Sequence, residues 1–376
     1  MSEQLDLMVW EIARQQPWLM PLIFALFGAC VGSFLNVVIY RIPRGLSVNE
    51  PRRSFCPSCH KEIPWYLNLP IISWLLLRGK SACCGKRISI RYWLVEVACA
   101  LLFAGIAHYI GEEQTLGLIG QVMLCGWAAI MLAMLCIDWE QMIVLPGMAI
   151  TATIVGLLAV LADTLWFYET TEYEAAFLMA AGSAIGAFVL LKLVALLGRM
   201  CFGHKKQRYE QPRHWQLRQA EDDLELRIGD TTYLWSELFM EENNRVELSN
   251  ATVSTHPGAT AGALRFTLET LTLPDGNVLH LEDYDSLQGE CNGLNTRKEA
   301  MGSGDAWIAM AIGITCGWEG SCFALVAGTI LGLVWAIIAR VRKGEPMPFG
   351  PALIAGAWLY LFCGREWVYA YLNHQL

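Results

Sequence analysis

The 376-residue sequence predicts an all-α polytopic membrane protein of about eight transmembrane helices, with a cytoplasmic Cys-containing loop and a small inserted β-rich or α+β soluble domain. Three observations predict it. The chain is 55% hydrophobic and only 16% charged, whereas a soluble domain carries about 25% charged residues. Apolar runs near bilayer-crossing length recur along it, and one long polar stretch, 203–303, interrupts them. Fifteen tryptophans agree, because amphipathic rings settle at membrane interfaces.

The first span is 17–40. It is too long for the apolar core of a signal peptide, and Glu3, Asp6 and Glu11 stand where a basic leader would be, so it is read as retained. Residues 41–91 form a basic loop. Spans two to five lie within 92–202, as the runs 92–110, 115–137, 143–167 and 175–202. Spans six to eight lie within 304–376, as 306–318, 321–339 and 349–372; the sixth is short and begins near Asp305.

Charge sets the orientation. Arg41, Arg44, Arg52, Arg53 and others fill the first loop, Lys205 and Lys206 follow span five, and Arg340 and Arg342 follow span seven. The alternate loops carry Glu112 and Glu113, then Glu169, Glu172 and Glu174, then Glu319. Basic loops stay inside, so these fall on the cytoplasmic face of the membrane and both termini lie outside it.

The insertion reads differently. Apolar and polar residues alternate in 224–228 and 265–269, and Pro274-Asp275-Gly276-Asn277 is a turn between apolar stretches, which predicts a hairpin. A stability or docking role is the plain reading of this domain.

Of thirteen cysteines, seven fall in apolar runs, where thiols serve as small hydrophobes. Cys56, Cys59, Cys83 and Cys84 cluster in the basic loop. Two knuckles about 25 residues apart suit a structural zinc with four thiolates. Ser81 stands where the second knuckle would carry its first thiol, and His60 is another fourth ligand to consider. The alternative is four reduced thiols in the cytosol.

Two carboxylates carry the functional argument. Asp138 ends the apolar run 115–137, and Asp305 closes Gly302-Ser303-Gly304-Asp305 directly before another. A carboxylate at a span boundary is costly to desolvate and invites a functional explanation. In the topology above, span three descends to the cytoplasmic face at Asp138 and span six rises from it at Asp305, so both lie at one depth. Paired aspartates are the minimal equipment for hydrolysing a peptide bond, one as base toward water and one as acid toward the leaving nitrogen. Helix polarity assigns the base to Asp305, ahead of a helix N-terminus, and the acid to Asp138, at a helix C-terminus. Gly302 and Gly304 let the chain bend into the helix and approach closely. Glu140 is the rival for the first acid. Glu96 and Lys192, within apolar runs, are read as paired across the bundle.

With those residues in place the sequence resembles the type IV prepilin peptidases. Gly32-Ser33-Phe34-Leu35-Asn36 through Arg41-Ile42-Pro43 is similar to the family's N-terminal signature. Ile63-Pro64-Trp65-Tyr66, Asn68, Ser73-Trp74 and Leu77-Arg78-Gly79 resemble its cytoplasmic loop, and 299–305 its second catalytic motif. The resemblance implies a GxGD-type membrane aspartyl protease with Asp138 and Asp305 as catalytic pair. Its substrates would be pilin-like or pseudopilin precursors, whose basic leader is cut at the cytoplasmic membrane face. It further implies N-methylation of the new terminus with S-adenosylmethionine, served by the zinc-carrying Cys56–Cys84 region and Glu96. The chain departs from the family at Leu67, Ser81, Gly147 and Trp307.

Two other readings are a peptidase-only member lacking methyl transfer and a proton- or cation-coupled transporter. Transport predicts acids near mid-bilayer, whereas these sit at one face. The expected partners are the precursors and the lipid bilayer, with no nucleic acid.

Overall fold

The computed structural model describes residues 15–50, 55–56, 58–59, 61–110, 117–167, 172–202, 204–220, 223–239, 244–254, 261–297, 302, 304–341 and 347–364. His60 and residues 299–301 lie outside these. The chain forms two compact units, one of 1–191 with 304–376 and one of 192–303.

The first unit is helical. Its elements are α1 (Leu19–Arg41), the short α2 (Ile72–Leu76), α3 (Ile90–Gly105), α4 (Leu118–Gln141), α5 (Pro146–Phe167), α6 (Glu172–Phe202), α7 (Asp305–Ala339) and α8 (Gly350–Leu359). Among the described residues, five helical stretches are long and apolar enough to cross a membrane: those of α1, α3, α4, α6 and α7. Two shorter apolar helices, Pro146–Ala162 and Gly350–Gly364, accompany them.

Small residues hold the helices together. A β-carbon on Gly28 would meet the Cys99 carbonyl oxygen at 2.7 Å, and one on Gly32 would meet Glu96 Cα at 2.8 Å, so α1 and α3 touch backbone to backbone. Gly313 of α7 lies as close to Ser183 of α6, and Gly356 of α8 to Ala324 of α7. Such contacts gain dispersion energy and need no displaced water, which is what packing in lipid requires.

The sequence places two spans at 306–318 and 321–339 with Glu319 between them. The structure has one helical run, α7, broken at a single residue, Gly317 (φ 68°, ψ −171°). Only glycine adopts that conformation without strain. The run doubles back there. Asp305 at its start and Trp335 near its end both lie beside the C-terminal end of α4: Asp305 shares a contact point with Asp138, and the Trp335 ring is 5.1 Å from that of Trp139. A straight helix would separate residues 305 and 335 by about 45 Å. The Ser321 hydroxyl donates to the Gly317 carbonyl at 2.8 Å, across the first turn after the break.

The helix ends at this side are tied together. Asn36 Nδ2 donates to the Tyr92 carbonyl at 3.0 Å, joining α1 to α3. Arg91 at the start of α3 pairs with Glu140 at the end of α4, its Nη1 lying 2.6 Å from both carboxylate oxygens. These two links join the ends of α1, α3 and α4.

The second unit is one antiparallel sheet of eight strands in the order β3-β2-β1-β8-β4-β5-β6-β7. They are β1 (His204–Gln219), β2 (Leu224–Ile228), β3 (Thr231–Leu234), β4 (Arg245–Ala251), β5 (Gly262–Phe266), β6 (Thr270–Thr272), β7 (Val278–His280) and β8 (Ser286–Arg297). Alternation along β2 buries Leu226 and Ile228 in a core with Trp215, Leu248, Leu264, Phe266 and Leu271. The predicted hairpin is β6–β7, with Gly276 at φ 90° in its turn. The second alternating stretch is strand only as far as Phe266, because Thr267 and Thr270 turn the chain through mutual hydrogen bonds.

Candidate active site

Asp138 lies in the last turn of α4, and its carbonyl accepts the N–H of Met142, which takes left-handed geometry and ends the helix. Leu145-Pro146 then starts α5, where proline at the first turn loses no hydrogen bond. Asp305 opens α7, capped by Gly304, whose carbonyl accepts from Trp307 at 2.9 Å. Both carboxylates are buried, at 4% and 6% exposure, so neither is a solvated marker of a helix end.

The two meet at Gly350, the first residue of α8. A β-carbon there would fall 3.3 Å from Asp305 Oδ1 and closer still to Asp138 Oδ2. The Gly350 N–H donates to the Asp138 carboxyl group, while Asp138 Oδ2 has no hydrogen-bond partner among the described residues. A buried oxygen without a partner, beside a second carboxylate and an opening only a glycine leaves, is suited to hold water or a substrate group.

Gly304 sits close to Val144, where a β-carbon would overlap the side chain. Its φ is −70°, so its need is close approach to the α4–α5 linker and not a left-handed turn. Gly302 is described, but no contact fixes its role. Glu140, the rival acid, is engaged with Arg91. Helix polarity also changes, since the N-terminus of α8 faces Asp138. Polarity alone therefore no longer separates the roles of the two aspartates.

Gly350 and the Arg91–Glu140 pair were not singled out from sequence. Phe349-Gly350-Pro351 carried a signal: a glycine beside a proline opening an apolar helix marks a place where backbone must come close.

The four cysteines form a second centre. Bridges Phe55↔Glu62 and Lys80↔Arg87 each close a turn, one holding Cys56 and Cys59, the other Cys83 and Cys84. All four sulfurs lie within 4.8 Å of one another. Cys56 and Cys84 are 3.7 Å apart and Cys59 and Cys83 3.2 Å; ligands at about 2.3 Å around tetrahedral zinc would be about 3.8 Å apart. Adjacent Cys83 and Cys84 thus reach one point, because Gly85 at φ 69° curls the turn. Ser81 stays in the cluster, 3.4 Å from Cys56 and 2.9 Å from Cys83. Its hydroxyl bond holds the Cys56 thiol down at about 6. Four thiols this close cannot all ionise unless a cation compensates them.

Beside that cluster, α1, α2 and α3 enclose a cavity of about 400 Å³ lined by Asn36, Cys56, Trp74, Trp93 and Glu96 among others.

Comparison with known proteins gives two family matches. Residues 26–110 match the bacterial peptidase A24 N-terminal domain, and residues 249–337 match the type IV leader peptidase family. The cysteines fall in the first and Asp305 in the second; Asp138 falls in neither, so its place rests on geometry. A prepilin leader peptidase/N-methyltransferase of Neisseria gonorrhoeae is 27% identical, the alignment covering 97% of this chain and 98% of the relative. One of Klebsiella pneumoniae is 36% identical over 41% of this chain and 68% of its own length. One of Pseudomonas putida is 31% identical over 50% and 76%. No solved structure matches the chain significantly.

Proposed function

Because the chain belongs to the type IV leader peptidase family, we propose that it is a membrane aspartyl endopeptidase cleaving the leader of prepilin-like precursors, with Asp138 and Asp305 as its acid–base pair. One observation carries the reading: carboxylates 167 positions apart in sequence converge, buried, on the single glycine that opens α8. In this mechanism one carboxylate takes a proton from water as its oxygen attacks the scissile carbonyl. The other gives a proton to the departing nitrogen as the C–N bond breaks. Two neighbouring carboxylates titrate as one coupled dyad, so the pair enters the reaction sharing a proton.

Counting α7 as two passes gives eight apolar passes, which fits the sequence reading of a multi-pass inner-membrane protein with 203–303 as an inserted domain. The basic residues at the ends carrying Asp138 and Asp305 support a cytoplasmic site. A precursor with a basic segment ahead of an apolar helix presents its junction at that depth. Acids at helix ends, and not at mid-span, argue against a transporter.

The relatives' names also include N-methyltransferase. S-adenosylmethionine, when bound, supplies an electrophilic methyl group. The cavity beside the cysteines, about 400 Å³ and lined in part by Glu96, has the size for such a group. Cys56, Cys59, Cys83 and Cys84 would hold a structural zinc that fixes one wall of it.

The test is co-expression with candidate precursors and mass spectrometry of each mature N-terminus. Asp138→Asn and Asp305→Asn should each lower cleavage by about a thousandfold or more. Cleavage at the wild-type rate by either folded variant would end the proposal. The same spectra read methylation.

A further inference from the structure

One end of the sheet differs in charge from the other. On the face opposite the core, Lys206, Asn295, Glu247 and Arg265 lie side by side across β1, β8, β4 and β5, in direct register. Neighbouring strands are about 4.8 Å apart, so these residues form one row. Arg208 stands two residues along β1 and Arg245 two residues back along β4, both on the same face. All four cations are exposed. Lys206, Arg208 and Arg245 have neither a hydrogen bond nor an ion pair among the described residues, and Arg265 reaches Glu247 only at 3.7 Å.

At the opposite end of the same face the cations are engaged. Arg218 of β1 donates to Glu225 of β2 at 2.7 Å, and Arg227 donates to the Gly229 carbonyl at 3.2 Å. Like charges left unpaired on one face repel, which is a cost that an arriving anion relieves. The unpaired end also has a recess. Arg245, Glu247, Arg265 and Asn295 line a hollow of about 190 Å³, smaller than small-molecule sites of about 300–1,000 Å³. Two guanidinium groups at its margin suit a phosphate, whose oxygens they engage in pairs.

Chain connectivity brings a phosphate surface within reach. β1 begins at His204, two positions after the last residue of α6, and the stretch Glu174–Met200 of α6 is long and apolar enough to cross a membrane. Lys206 is four positions beyond that helix end, about 14 Å of fully extended chain. Arg245 lies in the row of His204, closer still along the strands. Long cationic side chains at such a distance feel an anionic leaflet, whose field persists for about 8 Å at physiological salt.

We propose that this end of the sheet binds the headgroups of acidic phospholipids, with one phosphate in the Arg245–Arg265 recess and Lys206 and Arg208 against neighbouring headgroups. The inference rests on α6 crossing the bilayer and not on the peptidase reading. It gives the inserted domain a partner, the leaflet beside it. Free phosphate shares the chemistry, but only a leaflet presents it as an array to cations spread over several strands.

Hydrogen exchange on the full-length protein tests this, in nanodiscs of phosphatidylcholine alone and of an equimolar mixture with phosphatidylglycerol. A lipid that binds only the folded sheet slows its opening. The Leu248 and Leu264 amides should therefore exchange about tenfold more slowly with the acidic lipid, and molar salt should erase the difference. Arg245→Gln with Arg265→Gln should cut it to about twofold or less. Exchange of that variant in phosphatidylcholine alone, within about threefold of wild type, reports that its sheet is folded. Arg218→Gln with Arg227→Gln, the same change of charge at the other end, should leave the full difference in place. Equal exchange of the wild type in the two lipids overturns the assignment, as does a difference kept, or lost, in both variants alike. Inorganic phosphate that slows exchange equally in phosphatidylcholine nanodiscs also overturns it, since the recess would then take the free ion. Leader cleavage is read separately, so failure here leaves the peptidase reading untouched.

Discussion

In the sheet unit Leu264 and Phe266 are fully buried, whereas in the helical unit Leu101 and Met179 are about two-thirds exposed. The closest contacts between helices there are made at glycines, beside buried large side chains such as Trp127, Met131 and Ile308. The difference follows from solvent. Around the sheet, water drives large apolar side chains inward, at about 1.5–3 kcal/mol for each one fully buried. Around the helices, lipid is as apolar as leucine, so outward leucines lose nothing and stability comes from close backbone approach. The aspartates exploit the second regime. Where packing is by small residues, a missing β-carbon at Gly350 can be kept as working space.

The largest effect on that contrast is expected at Gly350. Gly350→Ala puts a methyl group between the carboxylates and should lower leader cleavage about a hundredfold or more, by displacing reacting groups. Circular dichroism should show unchanged helix content; near-wild-type cleavage would mean the space is not used. Next comes a matched pair. Leu264→Ala should destabilise the sheet unit by about 2–5 kcal/mol, and Leu101→Ala, on the outer face of α3, should change stability by less than about 0.5 kcal/mol. Hydrogen exchange on the intact protein in nanodiscs reads both, and comparable losses would refute the opposition of solvents.

A third comparison is internal to the helices. Gly28→Ala should cost about 1–3 kcal/mol, because the Cys99 carbonyl cannot yield easily, while Gly147→Ala meets nothing within 4 Å and should be near neutral. Thermal unfolding in detergent separates them. The smallest effect is at Asp223. Partial burial raises its carboxyl, but hydrogen bonds from the Ser236 hydroxyl and N–H and from the Leu224 N–H outweigh this and hold it below the usual carboxylate range. A lowered folded value means its stabilisation is present above the unfolded value of about 3.9 and is lost as pH falls below it. Asp223→Ala should therefore destabilise the sheet by about 1 kcal/mol at pH 7 and by much less at pH 3, measured by urea unfolding.

Much of this was legible in the sequence, and the limits are physical. Asp138 and Asp305 could be paired because hydropathy fixes where helices end and charge fixes which ends share a side. The cysteine cluster was legible because two tight turns announce themselves by spacing. Gly350 was not, since its role depends on a third helix arriving between two others. Glu140 looked like a rival acid until Arg91, 49 positions away, engaged it. The helix-polarity argument failed in the same way, by leaving out the N-terminus of α8. Hydropathy also put a loop at Glu319, where one glycine sufficed.

That glycine has a consequence for the far end of the molecule. Every pass exchanges inside for outside, so a chain's parity decides whether its two extremities share a compartment. With the eight passes proposed above, folding α7 on itself at Gly317 would add one exchange without a connecting segment. The exit of α8 would then lie on the side from which α1 enters; a reporter fused beyond each is expected to read the same compartment, and a Gly317 replacement that straightened the run to set them apart.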